Sequence, residues 1–126
     1  MFLYKVFIKE TGQTQMRFDI LYNMNIFQSL FKKDDADYKE LVQQGAIIVD
    51  VRSKAEFDGG HVNGAINIPL DTLSANLEKV GDKHSQIITC CMSGGRSTMA
   101  KNILDAAGYT NVHNGGGWQA LREKLQ

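Results

Sequence analysis

A short β-branched run, Gln86-Ile87-Ile88, leads into Thr89-Cys90-Cys91-Met92-Ser93-Gly94-Gly95-Arg96-Ser97. Ser97 then opens a helical pattern with Met99, Ala100, Ile103, Leu104 and Ala107 on one face. The order is buried strand, tight loop, helix, with a cysteine where the strand stops. The first amides of a helix lack intrahelical partners and carry the positive end of its dipole. Gly94 and Gly95 permit the positive φ values that turn loop amides inward. Arg96 adds a fixed charge beside them. All three features favour a thiolate over a thiol at Cys91, and the thiolate is the nucleophile. Cys91 is therefore the candidate catalytic residue, with Met92, Ser93, Gly94, Gly95, Arg96 and Ser97 as its binding loop.

The rest of the chain repeats this alternation. Asp34 or Asp35 can cap a helix through Tyr38, Leu41 and Val42, ended by Gly45. Ala46 to Val51 reads as a strand buried on both faces, in the manner of a parallel sheet. Ser53-Lys54-Ala55-Glu56 has the form of a capping box, and Gly59-Gly60 stops that helix at once. Ala65 to Ile68 is a second strand, ended by Pro69. Asp71 to Val80 reads as a helix with Leu73 and Leu77 inward and Gly81 as its stop. After Gln86 to Cys90 and the helix from Ser97 to Ala107, a short strand at Asn111 to His113 leads to a last helix, Trp118 to Leu125. Strands alternating with helices imply an α/β fold: a three-layer parallel sheet with helices on both faces. In such sheets ligands sit beyond the carboxyl ends of the strands, where both Cys91 and Arg52 fall.

Four ordered segments resemble those of the rhodanese-homology sulfurtransferases. Cys91 to Ser97 is similar to their active-site loop of Cys, four residues, Arg and Ser. Ile47-Ile48-Val49-Asp50-Val51-Arg52 resembles their strand ending in Asp-x-Arg. Glu56-Phe57 with Gly60-His61-Val62-Asn63-Gly64-Ala65-Ile66-Asn67-Ile68-Pro69 resembles their Gly-His-Ile-x-Gly-Ala-x-Asn-Ile-Pro segment, and Gly108-Tyr109 through Gly115-Gly116-Gly117-Trp118 their closing segment. The resemblance implies a rhodanese-like domain over residues 26–126, preceded by a 25-residue extension of unknown role. It also implies the chemistry. Cys91 takes the outer sulfur of a donor, thiosulfate or a persulfide, and passes it from a Cys91 persulfide to cyanide or a thiol. Loops of good thiosulfate users often carry extra basic residues. Here Met92-Ser93-Gly94-Gly95 is neutral and partly apolar, which points to a persulfide on a small thiol or a protein as donor.

Composition narrows the partners. Fourteen basic and fourteen acidic residues cancel, so neither nucleic acid nor an anionic membrane surface is an expected partner. The longest apolar runs are too short to span a bilayer. At the N-terminus, Lys5 and Lys9 interrupt Met1-Phe2-Leu3-Tyr4 and Val6-Phe7-Ile8 before a signal-type core can form. Two adjacent cysteines make no disulfide framework, no Cys/His spacing suits a metal, and no cofactor is expected. An unpaired reactive thiol suits a reducing compartment, so the expected location is cytoplasmic.

Other residues are expected to hold shape. An Arg52–Glu56 pair would brace the loop beside Asp50, with Arg52 also placed to steer an anionic donor. His61 follows two glycines and can tie backbone groups together or serve as an accessory base. Trp118 packs the last helix. Two rival functions stand beside the first. Counted from Cys90, the spacing is Cys, five residues, Arg, as in protein tyrosine phosphatases, which would make this a phosphatase or arsenate reductase acting through Cys90. A non-catalytic rhodanese-like binding module is the third. Alternation along a strand turns adjacent side chains to opposite faces, so a Cys91 in the loop leaves Cys90 in the core.

Overall fold

The computed structural model describes residues 36–126. The proposed extension over residues 1–25, the boundary at residue 26, and the expected caps Asp34 and Asp35 lie outside the described residues. Helix α1, Tyr38–Gln43, is capped by Asp37, whose side chain accepts the Glu40 N–H at 3.1 Å. Strand β1 is Ile47–Asp50, helix α2 Lys54–Asp58 and strand β2 Ile66–Asn67. Two 3-10 helices, Leu70–Ala75 and Leu77–Lys79, precede strand β3, Ile87–Cys91. Helix α3, Gly95–Ala106, strand β4, Val112–Gly117, and helix α4, Trp118–Lys124, complete the order.

Among the described residues four strands form one parallel sheet in the order β2-β1-β3-β4. Val49 and Asp50 pair with Ile66 and Asn67 on one side and with Thr89 and Cys90 on the other. β1 and β3 are the two interior strands, and all five residues of β3 are buried. The alternation of β3 divides the core between two layers. Ile87 and Cys91 join Val49, Leu73, Ala100 and Leu104 beneath α3 and the 3-10 segment. Ile88 and Cys90 join Tyr38, Val62, Trp118 and Leu121 beneath α1 and α4. Helical layers therefore cover both faces of a parallel sheet, as the alternating pattern requires.

Three local expectations are corrected. The segment from Asp71 to Val80 is not one α-helix but two 3-10 turns broken at Asn76 (φ −129°, ψ 31°). Thr72 Oγ1 donates to the Pro69 carbonyl at 3.0 Å, and Asn76 Nδ2 to the Thr72 carbonyl at 2.8 Å. Side chains of this kind compete with the helical ladder. Strand β4 runs on to Gly117 instead of stopping at His113. A Cβ at Gly115 would lie 2.8 Å from the Thr89 carbonyl oxygen, and one at Gly117 2.9 Å from that of Met92. The glycines let β4 press against β3, where the register shifts between Thr89 and Cys91. Finally, Met99 is 56% exposed and not part of the inward stripe, which is carried by Ala100, Ile103, Leu104 and Ala107.

Candidate active site

β3 ends on Cys91, and the chain turns through Met92, Ser93 and Gly94 into α3. Gly94 takes φ +111° as the residue before the helix, a conformation open to glycine and strained for other residues. Gly95 needs no such freedom, since it is already the first residue of α3, two positions earlier than Ser97. The turn brings backbone donors onto one sulfur. The Gly94 N–H donates to Cys91 Sγ at 3.0 Å and the Ser97 N–H at 3.4 Å.

Electrostatics at the two cysteines diverge for this reason. Burial pushes the Cys91 thiol up, but the amides of Ser97, Gly94 and Ser93 outweigh it and hold the thiol below its ordinary value of 9.0. Cys90 is buried as deeply and lacks such donors. Burial and the nearby Asp50 charge push its thiol far up, with only Arg52 opposing them. Cys91 is 1% exposed, so its sulfur lies at the floor of the loop.

A frame of buried polar contacts fixes the loop. Thr89 Oγ1, one alternation before Cys91 on the same face of β3, donates to the Ser97 carbonyl at 3.0 Å. The Ser97 hydroxyl lies 2.6 Å from Asn114 Oδ1 and 3.0 Å from the Gly94 carbonyl, both acceptors for its one proton. Asn114 also accepts the Gly116 N–H at 3.0 Å and donates to Thr98 Oγ1 at 2.8 Å, tying β4 to the start of α3. Neither Thr89 nor Asn114 stood out from the sequence. The signal available for Thr89 was a polar residue in the middle of a strand buried on both faces.

The charged residues regroup. Instead of the expected Arg52–Glu56 pair, Arg52 meets Asp50: Nε lies 3.0 and 3.1 Å from its two carboxylate oxygens and Nη2 2.7 Å from Oδ2. Arg52 Nη2 also donates to the Gly60 carbonyl at 2.7 Å, and Nη1 to the backbone carbonyl of Glu56 at 3.3 Å. Its guanidinium lies 4.6 Å from the ring centre of Trp118, whose other neighbour is Arg122 at 4.8 Å. Arg52 is 1% exposed and bound into this frame, so its guanidinium does not reach the surface to steer a donor. Asn67 Nδ2 donates to the carbonyls of Asp50 and Arg52, which secures the same strand end.

The Glu56 carboxylate instead grips Arg96, with Nη1 to Oε1 at 2.8 Å and Nη2 to Oε2 at 3.0 Å. That ion pair, then the Ser53 backbone bond of the capping box, hold the Glu56 carboxyl down at about 2. Arg96 therefore reaches the site as half of an ion pair and not as a free cation. His61 is exposed. Its Nδ1 lies 2.8 Å from the Phe57 carbonyl and its ring stacks on Phe57 at 3.7 Å, which ties it to α2 and the turn behind it. Among the described residues no cluster of three His, Cys, Asp or Glu side chains could hold a metal ion, and no helix is long and apolar enough to cross a membrane.

A buried sulfur held by converging amides beside a helix start can carry negative charge and present it to a small electrophile. Comparison with known proteins finds similar chains. The thiosulfate sulfurtransferase PspE of Escherichia coli is 41% identical over 70 residues, 55% of this chain and 67% of that protein. Thiosulfate sulfurtransferase 18 of Arabidopsis thaliana is 36% identical over 105 residues, 69% of this chain and 74% of that one. Among solved structures, a rhodanese with anions from E. coli aligns with a TM-score of 0.58 at 38% identity, covering 60% of this chain and 91% of its own. The rhodanese-like domain family matches residues 34–124, which include every element framing the Cys91 loop, and the chain belongs to that family.

Proposed function

We propose that the protein is a sulfurtransferase working through Cys91. The observation that carries this reading is the convergence of the Gly94 and Ser97 amides on Cys91 Sγ. The Cys91 thiolate attacks the outer sulfur of the donor. With thiosulfate, the S–S bond breaks, sulfite leaves with the bonding pair, and a Cys91 persulfide anion remains. An acceptor then attacks the terminal sulfur. Cyanide departs as thiocyanate or a thiolate as a new persulfide, and Cys91 returns as the thiolate. Two displacements on one residue give ping-pong kinetics. Met92, Ser93, Gly94, Gly95, Arg96 and Ser97 form the loop, whose amides stabilise the terminal sulfur as they do the thiolate. Asp50 and Arg52 brace the strand end behind it, and His61 braces α2.

Relatives named for thiosulfate support the reaction class. We place the chemistry in residues 26–126 and in a reducing, cytoplasmic setting, where the thiol stays available. The phosphatase reading through Cys90 finds no support in the geometry, since Cys90 packs with Trp118 and Leu121 on the opposite face. A binding module would have no use for a cradle built around one sulfur. Intact-protein mass spectrometry after incubation with thiosulfate tests the proposal. A gain of one sulfur, lost on reduction and absent in Cys91→Ser, is expected; an unmodified protein with every sulfane donor offered would refute it.

A further inference from the structure

Arg96 is the only cation between Cys91 and Ser97, and Glu56 occupies both of its terminal nitrogens. Glu56 is itself fixed. It is the third residue of α2, and its Oε1 accepts from the Ser53 N–H and hydroxyl, both at 3.1 Å. The next cation along α3, Lys101, is likewise paired, with Asp105 at 2.7 Å. Among the described residues the two large hydrophobic side chains that stand exposed are Met92, on the loop, and Met99, on the helix it opens. The surroundings of the loop are thus charge-cancelled and partly apolar.

We propose that Glu56 is a specificity-determining residue: by gripping Arg96 it cancels the one positive side chain of the Cys91 loop, setting the site against dianionic donors such as thiosulfate and towards organic persulfides of low charge. This rests on the reading of Cys91 as the sulfur-accepting residue. With Arg96 cancelled, an approaching dianion meets the Cys91 thiolate with only backbone dipoles to offset the repulsion. A neutral organic persulfide meets no such barrier, and its carbon chain can lie against the methionines.

The test compares the parent protein with Glu56→Gln, Arg96→Gln and the double variant. Glutamine at the third helical position preserves the capping box while removing the charge. The first readout is the ratio of Cys91 alkylation rates with iodoacetate and iodoacetamide, near-isosteric reagents that differ in charge; the ratio cancels the thiolate fraction. Glu56→Gln should raise it about two- to tenfold, the range for one unit charge near the reacting sulfur. Arg96→Gln should lower it by a similar factor, and the double variant should return close to the parent. In the parent the ratio should rise with salt, since screening relieves the repulsion of iodoacetate, and it should rise more steeply in Arg96→Gln. The second readout is the ratio of kcat/KM for thiosulfate to kcat/KM for 2-hydroxyethyl persulfide within each variant, expected in the same order and mainly through KM for thiosulfate. A parent ratio insensitive to salt, or single and double variants that all lose reactivity together, would overturn the proposal and leave Glu56 a purely structural brace. Alkylation ratios in the expected order with no sulfur transfer from either donor would instead refute the sulfurtransferase reading, and with it any role for Glu56 in donor choice.

Discussion

Thr89 and Ser97 lie eight residues apart, and the buried Thr89 hydroxyl donates to the Ser97 carbonyl at 3.0 Å. The bond links the strand that carries Cys91 to the helix turn whose amide meets Cys91 Sγ. The cradle is therefore held by a side chain one alternation away from the cysteine, on the same face of β3.

Thr89→Val keeps the shape and removes that donor. The expected cost is about 1 kcal/mol of stability, the net worth of one neutral hydrogen bond, measured by urea denaturation. Persulfide formation should slow several-fold, because the Ser97 amide loses part of its support. Unchanged stability and rate together would show that the hydroxyl is idle.

The pH dependence of Cys91 has a definite sign. Burial raises its thiol, and the amides of Ser97, Gly94 and Ser93 overcome burial and lower it. Iodoacetamide alkylation should therefore reach its plateau at a lower pH than that of an ordinary cysteine. Ser97→Ala should move the midpoint upward, since the Ser97 amide that meets Cys91 Sγ loses the hydroxyl contacts to Gly94 and Asn114 that hold it in place. A midpoint at or above 9.0 in the parent would contradict the cradle's electrostatics.

Glu56 predicts an acid limit. Its carboxyl is held at about 2 in the fold, against an ordinary 4.5, first by Arg96 and then by the Ser53 backbone. A carboxyl lowered on folding stabilises fully above its unfolded value, and this contribution fades as pH falls from about 4.5 towards 2. Acid unfolding followed by circular dichroism should show stability declining through that window. Glu56→Gln, which cannot titrate, should flatten the slope there. An identical slope in parent and variant would remove the linkage.

Much of this site is legible in the sequence, because its signals are local. The strand, Gly94 and the helix start lie within a dozen residues, and backbone geometry turns them into a cradle. The capping box at Ser53 and Glu56 is equally local and forms as its spacing requires. What the sequence leaves open depends on tertiary placement. Glu56 lies four residues from Arg52 and forty from Arg96, yet its carboxylate meets Arg96, because Asp50 and the Gly60 carbonyl already occupy the Arg52 guanidinium. Asn114 likewise reaches Ser97 only through the pairing of β4 with β3. Gly115 and Gly117 lie beyond the expected strand end at His113 and are what lets β4 run on close against β3.

The two cysteines should separate by function. Cys91→Ser is expected to abolish sulfur transfer, because a seryl hydroxyl is not ionised near neutral pH and cannot hold a persulfide. Cys90→Ser should retain most activity and lose stability, roughly 1–3 kcal/mol if the new hydroxyl is left unpaired in its apolar layer. The structure gives the reason. Cys91 Sγ receives the Gly94 and Ser97 amides, whereas Cys90 lies among Ile88, Trp118 and Leu121 with its thiol pushed up by burial. A phosphatase acting through Cys90 requires the reverse: Cys90 essential and p-nitrophenyl phosphate hydrolysed. Assaying both variants on thiosulfate with cyanide and on p-nitrophenyl phosphate separates the two chemistries. A Cys91→Ser protein that still forms thiocyanate would refute the assignment of Cys91, since no other residue in the loop can hold the transferred sulfur.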